Sequence, residues 1–201
     1  MPSIPVDVFK HILENVDRAD LTKLCLLNKI CCSCAQDVLY REIDQETTLT
    51  NVCRTLARST HLAKRVRSFE TDLEDPSLSK ALRNMSSLRR LRLGIIFPIS
   101  PTLLEGCTFK LDSLSVSLPF DGSLRKFLNS QPSLTCLSFT YHKGCRFPLE
   151  ETCLPNITRL AWLLDFGAIL APLTSIFPSL THLKLSIFFD LLDNSKVRKS
   201  F

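Results

Sequence analysis

Glycine is scarce in this chain, with five among 201 residues. A phosphate-cradling loop needs clustered glycines for close backbone approach, and none can be assembled from five scattered ones. No Gly/Ser-rich or Pro-rich stretch supplies a flexible hinge either. Aromatics make up 8% of the residues, and the lysines and arginines behind a net charge of +5 are dispersed. Without a basic patch interleaved with aromatics, nucleic acid is not an expected partner. Met1 to Lys10 lack the apolar run of a secretory signal. His11, His61, His142 and His182 lie far apart, and no serine, histidine and acid fall into a nucleophile motif. The chain therefore offers no case for an enzyme and implies no cofactor.

Cysteine, by contrast, is plentiful. Nine thiols are an odd number spread over a chain long enough to bury a core. This usage fits reduced cysteines in the cytoplasm or nucleus. Cys31-Cys32-Ser33-Cys34 contains a C-x-x-C. Zinc needs four ligands, however, and Cys25, Cys53 and His11 do not stand at finger spacing. A redox C-x-x-C opens a helix after a strand, and no strand is expected here. We read these residues as small thiols packed between helices, with no metal site.

What the sequence does have is a repeat. Leu88-x-x-Leu91-x-Leu93 recurs from Leu111, Leu134, Ile157 and Leu180. The later slots are Leu114/Val116, Leu137/Phe139, Leu160/Trp162 and Leu183/Leu185, so all five units carry apolar residues throughout. Val66-x-x-Phe69 precedes them, with Thr71 in the last slot. A period of about 23 residues carrying L-x-x-L-x-L is the leucine-rich-repeat signature. Each unit is one strand plus a return segment, and neighbours must stack to bury the apolar face. The expected class is α/β, with three short N-terminal helices followed by a solenoid of one strand plus a helix or 3₁₀ turn per unit. The spacing sets boundaries at residues 1–43, a connecting helix over 44–65, the solenoid over 66–190, and a basic tail over 191–201. Ile43 stands 23 residues before Val66, so the connecting segment also reads as a degenerate first repeat.

Return helices are expected after Asp75-Pro76, Ser100-Pro101 and Asp121-Gly-Ser123. Residues 147–153 are short enough for a 3₁₀ turn, and Pro172 divides 168–177. Residues 160–177 are apolar enough to mimic a membrane span. Asp165 and Pro172 interrupt them and the repeat register includes them, so no membrane is implied. The units lack asparagine or cysteine three residues past the last slot, where Ile96, Pro119, His142, Asp165 and Phe188 stand. Turns without that side-chain ladder should be irregular. Trp162 should face the core. Leu183, Leu185, Phe188, Phe189, Leu191 and Leu192 should form an exposed apolar end, since terminal repeats normally carry a polar cap.

Residues alternating with the buried slots point to the opposite face. Among them Arg90, Arg92, Ser113, Ser115, Ser138, Arg159, His182 and Lys184 are the candidates for contact with a target. Arginine forks match carboxylate and phosphate geometry; a merely solvated sheet face is the other reading.

The N-terminal order of residues is more specific than its periodicity. Ile4-Pro5, Val8-Phe9, Ile12-Leu13, Val16-Asp17, Asp20-Leu21, Leu24, Leu27-Asn28-Lys29 and Leu39-Tyr40-Arg41 follow one another over residues 4–43. This order resembles the F-box, with isoleucine for the leading leucine and Tyr40 where tryptophan is usual. Together with the repeats it resembles the fungal F-box proteins with degenerate leucine-rich arrays. The resemblance implies a substrate-recognition subunit of an SCF-type cullin-RING ubiquitin ligase. Its helices would dock on a Skp-family adaptor, and through it a cullin, while the repeats hold a target protein. Ile4, Pro5, Val8, Phe9, Ile12, Leu21, Leu24 and Tyr40 are the implied adaptor-binding residues. The alternatives are a non-ligase scaffold whose helices only cap the solenoid, or a shortened receptor.

Overall fold

The computed structural model describes residues 4–44, 49–72, 75–94, 101–117, 122–140, 154–165 and 173–188. Three helices open the chain: α1 (Val6–Leu13), α2 (Arg18–Leu24) and α3 (Lys29–Leu39). Pro5 stands at the N-cap of α1, and Asp17 at that of α2 without a side-chain capping bond. Asn28 does cap α3, accepting from the Cys31 amide. The three helices share a small core of Leu13, Leu21, Cys34 and Ala35. That is little surface for an independent unit.

Seven strands then form one all-parallel sheet in sequence order: β1 (Glu42–Ile43), β2 (Ser68–Thr71), β3 (Arg90–Leu93), β4 (Ser113–Val116), β5 (Cys136–Thr140), β6 (Arg159–Asp165) and β7 (His182–Phe188). The strand pairing has the register of the repeat, with Leu91 opposite Leu114, then Leu137, Leu160 and Leu183. A parallel pair needs a crossover between its strands. Helices α4 (Leu49–Arg58), α5 (Thr60–Ala63), α6 (Leu78–Asn84), α7 (Gly122–Asn129) and α8 (Leu173–Ile176) supply it, with a 3₁₀ turn at Pro101–Leu104. This is the strand-and-return architecture of a leucine-rich-repeat solenoid. Its buried core runs from Ile43 to Phe177. The apolar stretch 160–177 contributes β6 and α8 to it, and no helix among the described residues is long and apolar enough to cross a membrane. Pro101–Leu104 forms a 3₁₀ turn rather than an α-helix. Residues 147–153 and the tail 191–201 lie outside the described residues.

The first repeat starts elsewhere than its spacing implies. Ile43 pairs with Phe69, not with Val66. By this register Tyr40 takes the first slot, and it packs against the solenoid core. The sheet therefore begins inside the residues assigned to the helical unit.

The strand entries carry a ladder of backbone hydrogen bonds. At each strand entry one carbonyl accepts two successive amides of the next unit. Arg41 O accepts from Arg67 and Ser68, Arg67 O from Arg89 and Arg90, and Arg89 O from Asp112 and Ser113. The same pattern continues through Asp112, Thr135 and Thr158. Thr181 Oγ1 adds a hydroxyl bond of 3.0 Å to Thr158 O.

Gln131 is 4% exposed, and its Oε1 accepts from the Leu111 amide at 2.9 Å. Gln131→Met should cost about 1–3 kcal/mol, because a buried amide is left without a partner. Equilibrium urea unfolding measures it, and a change within error would mean that another acceptor takes over.

Candidate functional site

Two surfaces carry the candidate residues, one on the helices and one on the sheet. On the helical unit, Ile4, Pro5, Val8 and Ile12 face solvent, along one side of α1 and its entry. Phe9 and Leu24 are partly buried and pack against the four-residue core. Leu21 is 2% exposed and belongs to that core, so it is not available to a partner. Tyr40 is taken up by the solenoid.

Three residues outside the adaptor set are the more exposed ones. Leu26, Leu27 and Ile30 are 85%, 67% and 65% exposed. Periodicity puts Leu27 on the buried stripe with Leu21 and Leu24. Helix α2 instead ends at Leu24, and the following turn carries Leu26 and Leu27 outward. An uninterrupted Leu26-Leu27 pair directly before the capping Asn28 was the available signal.

A polar latch holds this unit to the solenoid. Arg65, just after α5, pairs with Asp37 of α3 and donates from Nη1 to Ser33 O at 2.9 Å. Its Nη2 lies 2.8 Å from His61 Nε2. Lys10 reaches the other oxygen of Asp37 at 2.8 Å. Arg41 pairs with Glu14, and this guanidinium, followed by His11, holds the Glu14 carboxyl below its usual range.

On the sheet, the outward residues form two rows across the strands. One row runs Ser68, Arg90, Ser113, Cys136, Arg159, His182; the other runs Glu70, Arg92, Ser115, Ser138, Ala161, Lys184. Arg90 Nη2 is 2.6 Å from Glu42 Oε1, and Arg92 Nη1 is 3.2 Å from Glu70 Oε1. These two candidate residues are thus neutralised by acids on β1 and β2. Arg159 and Lys184 form no ion pair among the described residues. A groove of about 580 Å³ runs over β4 to β7, with Ser113, Ser115 and Ser138 in its floor and Arg159, His182 and Lys184 at its far side.

The seven cysteines among the described residues are free thiols. No group of three or more His, Cys, Asp or Glu side chains among those residues could hold a metal ion. Burial pushes the thiols of Cys53 and Cys107 up to about 11. An unfolded cysteine ionises near 8.5, so between these values the unfolded chain carries fewer protons than the folded one. Stability should be level below about pH 8.5 and fall as pH rises towards 11. Urea midpoints at pH 7.5, 9 and 10.5 test this; in Cys53→Ala/Cys107→Ala the fall should be smaller.

No protein-family model matches the chain, and no curated protein matches it significantly.

Proposed function

We propose that this protein is a substrate-recognition subunit of an SCF-type cullin-RING ubiquitin ligase. Helices α1 to α3 bind a Skp-family adaptor, which bridges to the cullin, and the sheet face holds the target. Such a subunit does no bond chemistry of its own. It raises the target's effective concentration at another protein's active site. The observation that carries the reading is the apolar surface of the helical unit. Ile4, Val8, Ile12, Leu26, Leu27 and Ile30 are each 49% exposed or more, on a unit whose own core has four residues. Aliphatic surface on that scale is costly in water and marks a place of protein contact.

The test is co-purification with a Skp-family adaptor. Ile12→Asp/Leu27→Asp should abolish it while leaving the thermal transition in place, because neither residue is in a core. Leu21 is unsuitable for this purpose, since its replacement would unfold the unit. An adaptor that binds wild type and the double variant equally would sink the reading. A repeat scaffold with a helical cap is the second reading, favoured by Tyr40 in the solenoid and by the Arg65 latch. It expects no adaptor binding by the wild type.

A further inference from the structure

Two thiols face each other beside the apolar turn of the helical unit, and they are not the C-x-x-C of the sequence. Cys34 is 3% exposed and belongs to the four-residue core, out of reach of an oxidant in the folded chain. Cys25, at the C-cap of α2, and Cys32, in the first turn of α3, are only partly buried. The Cys25 thiol is hydrogen-bonded to that of Cys32, and both line a groove of about 460 Å³. Lys29, His61 and Arg65 line the same groove. Residues 26–31 separate the two cysteines along the chain, and they include the exposed Leu26, Leu27 and Ile30.

We propose that Cys25 and Cys32 are a reversible dithiol pair, closed to a disulfide by a small disulfide of the glutathione type, and that the bridge staples the Leu26-Leu27 turn to α3. Cys32 opens the reaction. Its thiolate attacks one sulfur of the small disulfide, forms a mixed disulfide and releases one small thiolate. Cys25 then gives its proton to water, attacks the Cys32 sulfur and releases the second small thiolate. The two protein thiols lose two electrons and two protons, and one small disulfide becomes two small thiols. Burial, helped by the Cys32 sulfur, holds the Cys25 thiol above its usual range. Cys25 is therefore the poorer first nucleophile and takes the resolving role. The basic side chains of the groove suit the carboxylates of a glutathione-type oxidant. Where small thiols keep cysteines reduced, a bridge of this kind is transient and regulatory. The pair needs no adaptor, and it stands apart from the ligase reading.

The experiment treats the full chain with glutathione disulfide, alkylates the remaining thiols after denaturation, and maps linked peptides by mass spectrometry. Wild type should yield a Cys25–Cys32 link that dithiothreitol removes. Cys25→Ser should stall with one glutathionyl group on Cys32, Cys32→Ser should take up none at Cys25, and Cys31→Ser should bridge like wild type. In the oxidised wild type, amides of residues 26–31 should exchange more slowly by about fivefold, as expected when a short loop is closed. Cys25 and Cys32 that stay alkylatable in wild type while other thiols react overturn the proposal, whatever the variants do. A link from either cysteine to Cys31 overturns the assignment of the pair. A Cys25–Cys32 link that leaves the amides of 26–31 unchanged overturns the staple.

Discussion

Trp162→Ala should lower the unfolding free energy by about 3–5 kcal/mol, the usual range for truncating a large aromatic in a core. Trp162 is 4% exposed and lies between Phe139 on β5 and Leu185 on β7. Being the only tryptophan, it reports its own surroundings: emission should be blue-shifted and iodide should quench it poorly. The same slot one unit later should behave differently. Leu185 is 43% exposed and Leu183 45%, because no further strand packs beyond β7 among the described residues. Leu185→Ala should therefore cost less than half of what Leu137→Ala does, the latter falling at about 2–5 kcal/mol. Equal losses would mean that the β7 face is covered in solution. An easily quenched indole would place the strand register of β6 in error, and Arg159 and Ala161 with it.

Arg65→Met should cost about 3 kcal/mol, the low end for breaking a shielded ion pair. The Arg65 side chain is 12% exposed and that of Asp37 is 27%. Lys10 stays within reach of Asp37, so the carboxylate is not stranded altogether. Removing the carboxylate as well, in Arg65→Met/Asp37→Leu, should recover less than half of the loss, since Lys10 already answers Asp37 in the single variant and loses its partner in the double one. Hydrogen exchange gives a second readout: amides of α3 should lose protection in the single variant before those of β3 and β4. A single variant within about 0.5 kcal/mol of wild type would mean that the helices are held by β1 and Tyr40 alone.

Much of the solenoid was legible because its signal is redundant. Each strand repeats the same inward slots, so a conservative departure such as Val116 or Phe139 does not obscure the period. The outward rows followed from the same register, and members of both rows line the groove over β4 to β7, Arg90 and Arg92 excepted. Which of those residues are electrically free was not legible. Arg90 and Arg92 look equivalent to Arg159 along the chain, yet their partners, Glu42 and Glu70, come from other strands. The first repeat was misplaced because its step, from Ile43 to Phe69, is 26 residues where the later strands keep 22 or 23. A lengthened return segment leaves no trace in an apolar pattern.

The sequence by itself determined the period, the strand order and the buried face. Those depend on which side chains avoid water, and that is a property of residue type and spacing. Only the tertiary structure decided the rest: the loss of Leu21 and Tyr40 to the chain's own cores, the outward turn of Leu26 and Leu27, and the backbone ladder at the strand entries. The reason is that each of these is a competition between groups distant in the chain. Tyr40 could face a partner or the solenoid, and β1 pairing with β2 carries it inward. A carbonyl that accepts two amides from the next unit requires no particular side chain, so it writes nothing into the sequence.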